Sequence, residues 1–182
     1  QSRGTTGLFA GQPELRPLAE RLRPDRLEDL VGQEAAFGPK SFLAKALARG
    51  TIPSIVLWGP PGTGKTTIAW LIARLVKGTF VPFSAVLGGV KEIREIVVAA
   101  RERRHTGERT VLFVDEIHRF NKGQQDAFLP HVEDGTLVLI GATTENPSFE
   151  LNAALLSRLR VVRLRRLEPP DIERILRRAL EI

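Results

Sequence analysis

The sequence predicts an α/β fold, a parallel sheet with helices on both faces. Three observations carry that expectation. Short apolar runs of four to six residues alternate along the chain with segments of helical period. The runs are apolar at nearly every position, as strands buried on both faces are. One of them, Ile55-Val56-Leu57-Trp58, leads into a glycine-rich turn, and Ile68, Leu71, Ile72 and Leu75 then fall at helical spacing. Strand, loop, helix is the setting in which a phosphate-binding loop works.

Element by element, residues 1–13 are small, polar and Gly-rich, and are expected to be loose. The segment from Leu15 to Leu30 mixes prolines with leucine and charge. A helix is expected from about Pro39 to Ala48, because Phe42, Leu43, Ala46 and Leu47 share a face. After the first strand and its helix come a short strand, Thr79 to Phe83, and a helix carrying Ile93, Ile96, Val97 and Ala100. Val111–Val114 and Leu137–Ala142 read as buried strands, residues 151–157 as a short helix, and Val161–Leu164 as a last strand. Pro169 and Pro170 open a final helix, with Asp171 and Glu173 in its first turn and Arg177 and Arg178 near its end. That charge order suits the helix dipole.

Composition narrows the class. With 182 residues, 42% hydrophobic and 26% charged, the chain can bury one sizeable core and is not disordered. No apolar run approaches the roughly 20 residues of a membrane span, and neither a membrane partner nor a signal peptide is expected. The absence of cysteine excludes disulfides and thiolate metal sites, and fits a reducing cytoplasm. His105, His118 and His131 lack ligand-like spacing, so no structural metal site is expected. The net charge of +6 suits a polyanion such as nucleic acid, or simply a solvated basic surface.

The loop is Gly59, Pro60, Pro61, Gly62, Thr63, Gly64, Lys65, Thr66, followed by Thr67. Its glycines allow a tight turn that aims N–H groups at one point. Lys65 supplies charge for the β- and γ-phosphates, and the Thr66 hydroxyl can ligate Mg²⁺. Val111–Val114 then deliver Asp115 and Glu116 to the end of a strand, where α/β sheets bind ligands. Asp115 can hold Mg²⁺ through water, and Glu116 can polarise a water for attack on the γ-phosphate. On its own, such an acidic pair is also an ordinary strand end; the loop upstream is what raises it to catalytic candidates. Thr143 and Thr144 follow the next apolar run, where a polar side chain can orient the attacking water or merely close a turn. Arg158 ends the following helical segment, as a solvated charge or as an arginine finger for a neighbouring subunit.

This order of motifs resembles an AAA+ ATPase, and more closely the replication-associated recombination protein A (MgsA) family, related to the Werner-helicase-interacting ATPases. The residues that carry the resemblance are Leu18 to Pro24, Trp58 to Thr67, Gly89 to Arg94, Phe113 to Asn121, Gln124 to Pro130 and Gly141 to Leu151. It covers about residues 14–182, with 14–168 as the nucleotide-binding core and 169–182 as the start of a helical lid. The resemblance implies a five-stranded P-loop core with the Thr144 strand between the loop strand and the Asp115 strand. It implies that Arg23, Pro24, Val31 and Gly32 line an adenine pocket. Thr144 would be the first sensor and Arg158 the finger acting in trans. Ser84, at the tip of the second strand, would restrain the catalytic glutamate or be a plain surface serine. Most of the lid, a second sensor arginine and an oligomerisation region would lie outside this chain, leaving it weak in nucleotide binding and slow in turnover.

The same resemblance turns the helices after the second and third strands toward a central channel, where Lys91, Arg94, Arg101, Arg119 and Lys122 could track DNA phosphates without reading sequence. An outer solvated face is the alternative. Phe120 and Phe128 lie nearby but read as core. The implied protein is a cytoplasmic, nucleoid-associated ATPase using ATP and Mg²⁺. It would act as a homo-oligomer on junctions, gaps or ends of DNA, with replication and single-strand-binding proteins as partners. A non-hydrolysing switch or assembly adaptor is the competing class, disfavoured by Lys65, Glu116 and Arg158. Asp115-Glu-Ile-His118 also imitates a superfamily 2 helicase box, but the chain lacks room for a second RecA-like domain. A P-loop kinase has no visible acceptor site.

Overall fold

The computed structural model describes residues 17–181; the loose segment expected over 1–13 lies outside the described residues. Five strands form one sheet: β1 (Ile55–Trp58), β2 (Thr79–Ser84), β3 (Thr110–Asp115), β4 (Leu137–Thr143) and β5 (Arg160–Arg163). Their order is β2-β3-β4-β1-β5, and every pairing is parallel. β4 therefore lies between β1 and β3, as the resemblance implies. The helices are α1 (Leu18–Arg21), α2 (Glu34–Phe37), α3 (Phe42–Ala48), α4 (Lys65–Leu75), α5 (Val90–His105), α6 (Lys122–Glu133), α7 (Pro147–Glu150), α8 (Ala153–Leu156) and α9 (Pro169–Leu180).

Successive strand side chains point to opposite faces, so a strand apolar at every position must be covered twice. Ile55, Leu57, Val111, Phe113, Ile140 and Ala142 pack on one face against Ile68, Ala69 and Ile72 of α4 and Leu43 and Leu47 of α3. Val56, Leu112, Val114, Leu137 and Leu139 pack on the other against Ile93 and Val97 of α5, Phe128 of α6 and Leu155 of α8. Each Val, Leu, Ile or Phe among them contributes roughly 1.5–3 kcal/mol when fully buried. Pro82 is tolerated inside β2 because β2 is an edge strand.

Four local expectations needed adjustment. α3 begins at Phe42 rather than Pro39, because the Ser41 hydroxyl accepts the Ala44 N–H at 3.1 Å and starts the helix there. Phe42 is 50% exposed, with the Arg160 guanidinium 3.8 Å above its ring, so it caps the sheet edge instead of joining the core. The helix expected over 151–157 is a single turn, α8, preceded by a second turn, α7. Each starts on an asparagine whose side chain accepts a backbone N–H, Asn146 from Ser148 and Asn152 from Leu155. The last strand starts one residue earlier than expected.

α9 is docked through its first turn. The buried Asp171 carboxylate accepts from Arg165 Nη1 at 2.7 Å and from the Glu168 N–H at 2.9 Å. The Arg165 hydrogen bond foremost, then the Glu168 N–H, holds this carboxyl below its ordinary range. A depressed folded-state pKa gives stability that is present above the ordinary carboxyl value and lost as pH falls through the depressed one. Asp171→Asn is therefore expected to lower the melting temperature at neutral pH, with the gap to wild type closing in acid. A gap that stays constant below the ordinary carboxylate range would refute this.

Candidate nucleotide-hydrolysis site

The loop between β1 and α4 takes its shape from two residues in the left-handed region, Gly62 at φ +77° and Gly64 at φ +87°. A Cβ at either would be strained, which is why glycine stands there. The Gly59 N–H donates to the Thr143 carbonyl at 3.1 Å, tying the loop to the tip of β4. Lys65 opens α4, and its Nζ donates to the carbonyls of Gly59 and Pro60, both at 2.8 Å. Burial lowers the Lys65 pKa, and the nearby Asp115 carboxylate opposes that shift. The start of α4 adds unpaired N–H groups and the positive end of a helix dipole, a ready site for phosphate.

A hollow of about 420 Å³ gathers Lys65, Thr66, Asp115, Glu116 and Thr144 with Pro61, Gly62, Gly64 and Thr67. Its lining also includes His118 and Thr143. Glu116 is held at φ +51°, ψ +47°, and its N–H donates to Asp115 Oδ1 at 3.0 Å. For a residue with a side chain that conformation costs on the order of 1–2 kcal/mol, and such strain concentrates at functional sites. Glu116 Oε2 lies 3.2 Å from Arg119 Nε. Ser84 does not meet Glu116 among these contacts; its hydroxyl accepts the Leu87 N–H at 3.2 Å and closes the turn after β2.

Mg²⁺ fits this donor set. The Thr66 hydroxyl and the Asp115 carboxylate line the same hollow and offer oxygen alone. Among the described residues no cluster of three or more His, Cys, Asp or Glu could hold a metal. An ion that binds one or two protein oxygens and completes its shell with phosphate and water suits such a site.

Arg23, Pro24 and Val31, expected to line an adenine pocket, do line a second hollow of about 300 Å³ together with Gly62, Thr63, Gly64 and Thr67. Gly32 stands behind it at φ +82°, where a Cβ would come 2.6 Å from Leu167 Cδ2. Leu167, and Ile175 and Arg178 from α9, also belong to its lining. Part of the wall expected from a lid is thus supplied by this one helix. Gln33, 4% exposed, fastens it: Nε2 donates to the Arg165 carbonyl at 2.9 Å, and Oε1 accepts the Arg165 N–H at 3.1 Å.

The remaining candidates sit elsewhere. Arg158 follows α8, is not part of the lining of its own hollow, and pairs with Glu133 at 3.1 Å. Lys91, Arg94 and Arg101 are exposed along α5, and Lys122 is exposed at the start of α6. Spacings of three and seven residues put the three α5 cations on one side of the helix. Arg119 is set apart from these four by its pairing with Glu116. Phe120 and Phe128 are core residues, as expected.

Residues 55–167 match the family model described as ATPase family associated with various cellular activities (AAA). The chain belongs to the AAA family. Replication-associated recombination protein A of Escherichia coli (strain K12) is 57% identical over 165 residues, 91% of this chain and 37% of that protein. ATPase WRNIP1 of Dictyostelium discoideum is 46% identical over 166 residues, 91% of this chain and 19% of that one. The chain thus spans well under half the length of these relatives. Among solved structures, the Thermotoga maritima RuvB Holliday junction branch migration motor superposes with a TM-score of 0.73 at 33% identity. That match covers 88% of this chain and 54% of the motor. His118 and Gln33 are residues the sequence had given no role, and Thr143 had been weighed only together with Thr144, as a water-orienting side chain or a turn. For His118 a signal existed, its place in Asp115-Glu-Ile-His118; for Gln33 there was none.

Proposed function

We propose that this chain is the hydrolytic core of a DNA-stimulated ATPase that remodels DNA ends or gaps in replication-fork maintenance, recombination and repair. The observation that carries the hydrolytic part is the single hollow gathering Lys65, Thr66, Asp115, Glu116 and Thr144. Loop N–H groups and Lys65 bind the β- and γ-phosphates. Thr66 and Asp115 hold Mg²⁺, which supplies charge neutralisation on the phosphate oxygens when bound. Glu116 accepts a hydrogen bond from the attacking water and takes up its proton as the bond to the β-phosphate oxygen breaks, giving ADP and phosphate. Thr144 orients that water. Arg158 acts on the γ-phosphate of a neighbouring copy, which its position outside its own hollow supports.

The DNA part rests on charge and on relatives whose names concern recombination. Lys91, Arg94, Arg101 and Lys122 present cations to phosphates, and Arg119 joins them from beside Glu116. Homo-oligomers and single-strand-binding or replication proteins are the matching partners, in a cytoplasmic, nucleoid-associated setting. The test is steady-state turnover with single-stranded, blunt, gapped and forked DNA, run beside a Lys91→Glu/Arg94→Glu variant. Stimulation by ends or gaps is expected in wild type and weakened in the variant. The slope of log affinity against log salt should drop by ~0.7–0.9 per lost contact. Turnover indifferent to every DNA would redirect the reading to a protein partner.

A further inference from the structure

We propose that His118 is a further catalytic residue, fixed through Nδ1 by the Thr143 hydroxyl so that Nε2–H donates to the terminal phosphate of the nucleotide. The inference rests on the reading of this hollow as the site of hydrolysis. It starts from the ring's position: His118 lines the hollow alongside Lys65, Glu116 and Thr144. Its backbone is pinned there. His118 lies in the short turn Ile117–Arg119, and Ile117 is fully buried against β4, where the missing side chain of Gly141 makes room for it. A Cβ at Gly141 would come 2.6 Å from Ile117 Cδ1.

The ring's orientation is set by Thr143. His118 Nδ1 lies 3.0 Å from Thr143 Oγ1. Thr143 is itself immobile: 2% exposed, with its hydroxyl accepting the Glu145 N–H at 2.9 Å and its carbonyl accepting the Gly59 N–H at 3.1 Å. A hydroxyl has one proton to give. The Glu145 carbonyl, at 3.2 Å, is the farther of its two acceptors. Donation to Nδ1 places the ring proton on Nε2, because a neutral imidazole carries one donor and one acceptor. Nε2 is then the polar atom left for a ligand, a donor on a residue that lines the hollow proposed to hold phosphate. The arrangement also ties the glutamate turn, the β4 tip and the phosphate loop through one residue, Thr143, whose hydroxyl meets His118 and whose carbonyl meets Gly59.

The variants separate the two ring nitrogens. Asparagine keeps a polar atom near Nδ1, and glutamine keeps a donor near Nε2. A preorganised donor to developing transition-state charge is worth ~10²–10³ in turnover. His118→Ala is expected to lower turnover by about 10²-fold while leaving ADP affinity near wild type. Affinity for ADP with aluminium fluoride should fall in step with turnover. His118→Gln should retain more activity than His118→Asn, and Thr143→Val should add little loss on top of His118→Ala. A purely structural tie predicts otherwise: Asn at least as good as Gln, with melting temperature and ADP affinity falling together. That pattern overturns the proposal. Glu116→Gln serves as the reference. If it abolishes turnover and His118→Ala does not, His118 alone is misassigned. If Glu116→Gln leaves turnover intact, the reading of the hollow fails and takes this inference with it.

Discussion

Glu116→Gln is expected to cut ATP turnover by roughly 10²–10⁴-fold, the range for loss of a positioned general base. Binding of ATP and ADP should survive. The amide keeps the size of the side chain but cannot take the water's proton. The proposed phosphate contacts come from the Gly59–Thr67 loop, and the Glu116 backbone is not expected to add to them, because its N–H is committed to Asp115 Oδ1. The pair with Arg119 is exposed, and such pairs contribute about 0–1 kcal/mol, so the melting temperature should barely move. The left-handed backbone at Glu116 is unchanged by the substitution, so no relief of strain confuses the result. Turnover and nucleotide affinity measured on one preparation decide it. Turnover near wild type would show that Glu116 is not the base and would sink the reading of this hollow as the site of hydrolysis.

Arg158→Ala is expected to have a comparable or larger effect, because arginine fingers are worth about 10³–10⁵ in turnover. The loss should show under conditions in which the protein self-associates, since Arg158 stands outside the lining of its own hollow. Losing its exposed pair with Glu133 should leave the protomer folded. Mixing gives the sharper measurement. Arg158→Ala supplies an intact Glu116, and Glu116→Gln supplies an intact finger. Combined, the two inactive proteins should regain turnover at the interfaces that bring those halves together. Activity no greater than the sum of the separate proteins would argue that Arg158 works within its own chain or not at all. Glu133→Gln is a useful companion: freeing the finger without deleting it should leave most turnover in place.

Much of the phosphate side was legible beforehand, because its determinants are local. Gly62 and Gly64 are glycines since their backbone is left-handed, and Lys65 and Thr66 follow them at fixed spacing. Asp115 and Glu116 could be placed because a fully apolar run announces a buried strand and its end. Other parts were silent. Gln33 is buried against the backbone of Arg165, 132 residues away along the chain, and a lone glutamine gives no sign of so distant a partner. Ser84 was expected to restrain Glu116 or to be a plain surface serine, and Arg119 was read only as a DNA contact; the turn after β2 claims the Ser84 hydroxyl, and the turn after β3 brings Arg119 onto the Glu116 carboxylate.

By itself, then, the sequence determined the alternation of strands and helices, the shape of the phosphate loop, and the kinds of side chain at each strand tip. All of these depend on neighbours a few residues away. Tertiary structure decided which tips face one another. Threading β4 between β1 and β3 is what brings Thr143 and Thr144 beside Glu116 and His118, and docking α9 through the Arg165–Asp171 pair is what brings Ile175 and Arg178 to the second hollow. Strand order and side-chain pairing are settled by contacts between residues far apart in the chain, and a periodic pattern carries no information about which distant partner will win.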